Sequence, residues 1–559
     1  MEQPGGTGPD GPVRTLDRPS AAPTDVRPSP PPGPPPPAPA AEGTPTAYPE
    51  KWGIALAVIS VGAFMSVLDI SIVNVAIPTM ANQFGVDARE IEWVTTAYSL
   101  SLGVIVPVSG WLGERFGLSK VYAWAVLGFA GASALCGFAW NLESEVAFRI
   151  LQAIPGGILP VITLTMLYKI VPPNKLGIGM AVYGVSMVFA PATGPTLGGY
   201  LVEYHSWRWI FFINIPIGLI GAALAFWVLP KFDRKPDLGR FDWWGFITVA
   251  GGLFALLLAL SKGIDWGWGG YRILGLFTAS ALLLALFVIV ELEVERPLLN
   301  VRLFLIWSFS NSLILIGILS SAFFTIIFYL PLFMQEGQGV TPVNTGLAML
   351  PEAICMAFSL PAAGLLYDKM GPRWPIVIGM LFTAYGTWLL TDITSDMTTT
   401  DVMLWTSLRG CGQAFCMVPL MTAGLAKVPP GEMDGASAIN NVMQRVAGAL
   451  GLAVLSTMVT RLSVQNHADR SALITEAGMR GDPTLGGMVD PAAMAAGQAD
   501  PGLMLAYLKL WELKIQAQAY SNLYLFLTVA TLFGAVLALT FPSEKPEGTD
   551  GHRPMALEM

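Results

Sequence analysis

The chain has 559 residues, 53% of them apolar and only 13% charged, and its mean hydropathy is +0.57. Soluble proteins carry about 25% charged residues, so the composition argues against a soluble globular enzyme and for a helical protein that crosses a membrane repeatedly. The net charge of −8 provides no basic surface for a nucleic acid.

Residues 1–51 hold 16 of the 43 prolines and lack an apolar core, which predicts a disordered tail with polyproline character and not a signal peptide. From Trp52 onward, apolar stretches of helical length recur. A span consumes roughly 20 residues, and fourteen such segments are predicted near 53–78, 92–112, 119–140, 146–171, 177–202, 207–229, 241–261, 271–290, 308–335, 343–366, 374–391, 402–426, 434–460 and 520–541. With the N-terminus inside, the even-numbered loops carry thirteen basic residues: Arg115, Lys120, Lys169, Lys175, Lys231, Arg234, Lys235, Arg240, Arg296, Arg302, Lys369, Arg373 and Lys427. The short odd-numbered loops carry four, Arg89, Arg208, Lys262 and Arg272. The positive-inside bias therefore puts both termini in the cytoplasm and the long 461–519 loop outside.

The sequence repeats itself. Gly110 to Gly117 (Gly-Trp-Leu-Gly-Glu-Arg-Phe-Gly) recurs as Gly364 to Gly371, Val171-Pro172-Pro173 as Val428-Pro429-Pro430, and Arg149 as Arg409, at a nearly constant offset. The expected organisation is a cytoplasmic tail (1–51), a six-helix half (52–230), an inserted helix pair (231–300), a second six-helix half (301–541) and a short cytoplasmic tail (542–559). Paired halves around a central site are the architecture of secondary transporters. The four cysteines sit in apolar stretches and the three histidines lie far apart, so neither set forms a metal site.

Five ordered motifs resemble the major facilitator superfamily, and within it the fourteen-span drug:proton antiporter branch of the EmrB/QacA type. They are the Gly110–Gly117 loop, Leu68-Asp69 to Asn74 and Pro78 in span 1, Arg149 to Gln152 with Gly156-Gly157 in span 4, Gly194-Pro195 to Gly198-Gly199 in span 5, and Trp207 to Pro216 at the start of span 6. The resemblance implies an all-α fold of two six-helix halves plus a central pair. It also implies efflux of lipophilic or amphiphilic small molecules, driven by a proton gradient without a cofactor, by a monomer in the cytoplasmic membrane of a bacterium. Glu114 stands where the family has Asp, Leu118-Ser119 where it has a basic pair, and Gln444-Arg445 where it has the reverse order.

Asp69 sits roughly 24 Å along the first span at about 1.5 Å per residue. A charge at that depth costs on the order of 2.5–3.5 kcal/mol by insertion scales, so it must face a wet cavity or a partner. Burial favours the neutral form of a carboxyl. Asp69 is accordingly either a proton-exchanging acid or one held ionised by a structural partner such as Arg149. Glu352, beside Pro351 in span 10, is a second candidate proton or cation site unless it reaches water at the outer end. Arginine stays charged, so Arg149 can only tune a neighbouring acid, and Arg409 is open to a structural reading.

Glu114-Arg115 and Asp368-Lys369 suit ion pairs that hold the inside closed, or are ordinary positive-inside charges. Gly194, Pro195, Gly198 and Gly199 allow close helix packing that would seal against proton leak. Asn74, Phe323, Phe324, Phe328 and Tyr329 are candidate substrate contacts on adaptable apolar walls. The chain lacks a GxxxxGK[ST] phosphate loop, which leaves an ion gradient as the energy source. Dedicated export of one metabolite, lipid or siderophore is the alternative to broad drug efflux. Reporter fusions after Lys235 and Arg302 are expected to read cytoplasmic and one near Gly486 external; a cytoplasmic signal at Gly486 would reduce the span count below fourteen.

Overall fold

The computed structural model describes residues 51–172, 175–232, 241–294, 297–393, 397–429, 432–480 and 501–541. The tail up to residue 50, the tail from 542 and the 481–500 part of the outer loop lie outside the described residues. Among the described residues, fifteen helices longer than eight residues carry the fold. The first seven are α1 (Trp52–Phe84), α2 (Trp93–Ile105), α3 (Val108–Phe116), α4 (Leu118–Gly137), α5 (Leu142–Ile170), α6 (Leu176–Tyr204) and α7 (Asn214–Val228). An inserted pair follows, α8 (Trp243–Lys262) and α9 (Tyr271–Glu293). The last six are α10 (Trp307–Leu332), α11 (Pro342–Met370), α12 (Arg373–Leu389), α13 (Thr399–Leu425), α14 (Met433–Arg480) and α15 (Pro501–Ala538).

Twelve of the helical segments are long and apolar enough to cross a membrane, and thirteen if α2 and α3, bent by 57° at Pro107, count as one span. Each of the fourteen expected segments falls on a helix, the remaining one being α13. Its lower apolarity has a clear source in Arg409 and Gln413, both buried among neighbouring helices. Several helices are apolar around their whole circumference, as a lipid-facing helix must be. On α7, Trp227 is 91% exposed and Leu219, Ile220 and Phe226 lie on the outer surface with it.

Local sequence explains the helix ends. Asn141 caps α5, accepting from the Ser144 N–H while the Ser144 hydroxyl faces back, and Thr398 and Asp401 do the same for α13. Prolines lie inside α1, α5, α6, α10, α11 and α13; the carbonyl that Pro160 frees, that of Gly156, accepts from Ser66 of α1. The internal repeat is also visible in the backbone. Gly117 has φ 89° and Gly371 φ 75°, and each N–H closes its helix on the carbonyl four residues back, Gly113 at 2.9 Å and Tyr367 at 2.8 Å.

Helix α1 is the axis of the first group of helices. The Tyr122 hydroxyl of α4 donates to the Val58 carbonyl (2.7 Å) and accepts from the Gly62 N–H (2.9 Å). Ser66 donates to the Gly156 carbonyl of α5 (2.7 Å), and Thr163 of α5 donates to the Ile59 carbonyl (3.0 Å). A Cβ on Gly194 would collide with Ser71, and one on Gly198 would lie 3.0 Å from the Ile72 carbonyl oxygen, so α6 lies directly against α1. The other side of α6 lies against α11, where a Cβ on Gly346 would come within 3.3 Å of the Thr196 nitrogen.

Gly117→Ala and Gly371→Ala should each destabilise the protein by about 1–3 kcal/mol, because an L side chain disfavours these backbone angles. Gly131→Ala, inside α4 with open space around it, should be neutral or stabilising. Thermal unfolding in detergent, compared across the three variants, checks the contrast.

Candidate functional site

The deepest polar cluster forms around Asp69, whose side chain is fully buried (0% exposed) in the middle of α1. Arg149 of α5 donates to Asp69 Oδ2 in a buried ion pair. Gln152, three residues along the same helix face, donates from Nε2 to Asp69 Oδ1 at 2.9 Å and accepts from Arg149 Nη1 at 2.7 Å. Asn214, the first residue of α7, reaches Asp69 Oδ1 at 3.5 Å and Ser133 Oγ of α4 at 3.0 Å. The guanidinium also donates from Nε to the Val94 carbonyl of α2 (3.3 Å), and the Tyr98 ring lies 3.8 Å from it. Asp69, Arg149, Gln152, Asn214 and Ser133 are all at most 1% exposed.

Five helices thus meet in one polar cluster, and both oxygens of Asp69 are engaged in it. Of the two sequence readings of Asp69, the geometry shows the pairing with Arg149.

A second buried pair lies in the other group of helices. Arg409 of α13 donates from Nη2 to Glu352 Oε1 of α11. Glu352 is 6% exposed and Arg409 0%. Its remaining donors, Nε and Nη1, have no hydrogen-bond partner among the described residues. Close approach is possible because Gly410 faces the Glu352 backbone, where an added Cβ would meet the carbonyl oxygen at 2.6 Å. The arginines are repeat-related, but their acids are not: Asp69 comes from the first helix of its group, Glu352 from the second span of the other.

The gating candidates fall in two places, the loop residues at one end of the bundle and the α6 glycines beside Ser71 and Ile72 in the middle of α1. Gly110 of α3 faces the start of α14, where its Cβ would lie 3.4 Å from the Asp434 backbone. Glu114 and Arg115 are half-buried at the end of α3, and Lys369 is exposed; the Asp368 side chain lies outside the described residues. The ion pair that crosses between the groups at this end is one the motifs did not signal, Lys169 Nζ to Asp434 Oδ2 at 3.3 Å. The Tyr168 hydroxyl donates across the same seam to the Met421 carbonyl at 3.3 Å. Gly194, Gly198 and Gly199 are buried and Pro195 is half-buried on α6.

Among the substrate candidates, Asn74 is exposed on α1, Phe323 is half-buried, and Phe324 and Phe328 are exposed. Phe324 abuts Gly448 of α14, whereas Tyr329 is buried against Tyr520 with ring centroids 5.6 Å apart. A further acid escaped the sequence reading. Glu145, one turn before Arg149 on α5, is fully buried and neither carboxylate oxygen has a hydrogen-bond partner among the described residues. Its four-residue spacing from Arg149 was the available signal, but it lies at the edge of the apolar segment, where an acid normally reaches water.

Residues 59–452 match the sequence model of the Major Facilitator Superfamily. The chain belongs to this superfamily. The tetracenomycin C resistance and export protein of Streptomyces glaucescens is 32% identical, over 73% of this chain and 76% of its own length. The multidrug export protein EmrB of Escherichia coli (strain K12) is 30% identical, over 73% of this chain and 80% of its own length. Among solved structures, the superfamily's proton:xylose symporter XylE aligns with a TM-score of 0.57 over 89% of this chain and 96% of its own, at 12% identity, a likeness of fold alone. The fold is accordingly the all-α facilitator fold, and the chain is a multi-pass membrane transporter.

Arg149→Leu should leave Asp69 buried without its charge partner and cost about 3–5 kcal/mol. Adding Asp69→Asn should recover most of that loss. A double-mutant cycle in thermal stability measures the coupling, and additive effects would mean that the pair is not energetically linked.

Proposed function

We propose that this protein exports lipophilic or amphiphilic small molecules across the cytoplasmic membrane in exchange for protons, as a member of the drug:proton antiporter branch. The observation that carries the proposal is the buried Asp69–Arg149 pair, bound by Gln152, Asn214 and Ser133 at membrane depth. The relatives named for multidrug and tetracenomycin export support the direction of transport. The latter name favours, as a second reading, export dedicated to one metabolite.

In this mechanism both termini are cytoplasmic, so the Lys169–Asp434 and Tyr168–Met421 contacts close the cytoplasmic end. A proton reaching Asp69 from outside neutralises it and releases Arg149. The network then loosens α1 and α5 from α2 and α7, and the two halves rock about the α1–α6 and α6–α11 contacts. Glu145, within electrostatic reach of Asp69, Arg149 and Arg208, supplies a second carboxyl on which a proton can pause. Glu352 with Arg409 forms the corresponding charge pair of the second half. Among the described residues, the one ion pair at this seam joins a partly exposed lysine to a buried aspartate, and the Tyr168 hydrogen bond stands beside it.

Asp69→Asn keeps the side-chain shape and fixes the neutral form. It is expected to fold and insert while abolishing substrate-induced proton movement in everted vesicles; Glu352→Gln should reduce transport less uniformly. Wild-type rates of proton movement in Asp69→Asn vesicles would make Asp69 structural and turn the assignment to Glu352.

A further inference from the structure

Glu291, in the last turn of α9, is an acid that the sequence motifs do not signal, and it is only 4% exposed. Its Oε1 accepts from the backbone N–H groups of Leu298 (3.2 Å) and Leu299 (3.3 Å), in the linker that leads to the second half. Its Oε2 is buried with no hydrogen-bond partner among the described residues. Beside it stands Asp242, the N-cap of α8. Asp242 Oδ1 accepts from the Gly245 N–H at 2.8 Å, whereas Oδ2 is buried and has no partner among the described residues either. A Cβ on Gly245 would lie 2.3 Å from Asp242 Oδ2 and 3.0 Å from Glu291 Oε1, so the two carboxyl groups converge on one glycine.

The other titratable side chains on the elements packed here stand elsewhere. Lys262 is at the opposite end of α8, Tyr271 and Arg272 are at the opposite end of α9, and Glu293 of α9 and Arg302 of the Val301–Leu305 turn are exposed. An ionised carboxylate only accepts hydrogen bonds, so two adjoining acids that each bury an oxygen without a donor lack a proton between them. Carboxyls at one site resist ionising together, and such pairs hold one proton in common. The pair also bridges the two halves. Phe241, next to Asp242, meets Trp111 of α3 edge-on with ring centroids 4.8 Å apart. On the other side Asn300, which follows Leu299, donates to Glu432 at 2.7 Å, two residues before the Asp434 that pairs with Lys169.

We propose that Asp242 and Glu291 share one proton and form a pH-operated latch at the end of the bundle that holds the Lys169–Asp434 seam. With the proton in place, one carboxyl donates to the other, and the cap of α8, the end of α9 and the 298–300 linker stay together against α3 and Glu432. When the proton leaves to water, two negative charges face each other in a buried site. Glu291 then withdraws, and the Leu298 and Leu299 N–H groups lose their acceptor. The inference goes beyond the export reading above and rests on it for one point, that this end faces the cytoplasm. An acid cytoplasm then keeps the seam shut against further proton entry, and an alkaline one frees it.

The test compares the full-length wild type in detergent with Glu291→Gln, which keeps the acceptor for Leu298 and Leu299 and puts a permanent amide donor where the shared proton lies. The wild type should show a protonated-carboxyl infrared band that disappears as the pH is raised from about 5 to about 9 and that Glu291→Gln lacks. At one alkaline pH, hydrogen–deuterium exchange of residues 297–300 should be about tenfold faster in the wild type, with faster exchange of 432–435 as well; at acid pH the two proteins should match. A proton held by the folded pair and not by the unfolded chain makes the wild type lose thermal stability relative to Glu291→Gln as the pH rises. An infrared spectrum unchanged by Glu291→Gln, or equal exchange of either segment at alkaline pH, overturns the proposal. If Glu291→Gln does not fold, Asp242→Asn, which retains a capping oxygen and supplies a donor to Glu291, replaces it with the same expected results. None of these readouts needs a substrate, so failure of export in vesicles would refute the export reading and leave the latch standing.

Discussion

An acid buried in the middle of a membrane-spanning helix and paired with an arginine is the constraint around which the first half is organised. Asp69 cannot be left alone at that depth, because a charge in a low-dielectric interior is stable only when paired and hydrogen-bonded. The surrounding helices supply what it needs: a guanidinium from α5, an amide from α5 and another from the start of α7, with Ser133 of α4 orienting both amides. Arg149 also draws in α2 through the Val94 carbonyl and the Tyr98 ring. Five helices are thereby tied to one buried cluster.

The second half uses the same kind of pair with less support. Arg409 holds Glu352 but leaves two of its donors without partners among the described residues, whereas both oxygens of Asp69 are engaged.

Glycine determines where helices can slide or touch. The faces of α6 that meet α1 at Gly194 and Gly198, and α11 at the Gly346 contact, leave no room for a side chain. Such backbone-close seams depend on dispersion and small-residue packing in place of the hydrophobic effect, which is weak between apolar helices in lipid. They can serve as pivots because they carry no long side chains that must unlock. At the end of the bundle with Gly117, by contrast, the seam is polar, joined by Lys169, Asp434 and Tyr168.

How much of this was legible in the sequence follows from the range of each interaction. Hydrophobic length and loop charge are local properties, and each expected segment fell on a helix, with α13 less apolar than a typical span because its polar side chains face neighbouring helices. The repeat was equally readable, since Gly117 and Gly371 mark the same backbone turn twice. The family motifs singled out Asp69 and Arg149, because an acid and an arginine inside apolar helices are conspicuous whatever they touch. Which acid meets which arginine was not readable. That depends on helix rotation and crossing, which brought Asp69 from α1 to α5 but paired Arg409 with Glu352 of α11. The same applies to Lys169 with Asp434 and to Glu145, whose carboxylate has no hydrogen-bond partner among the described residues. Sequence alone determined which charges the membrane would have to accommodate; tertiary structure decided their partners, because long-range electrostatic pairing is set by the packing of helices distant in the chain.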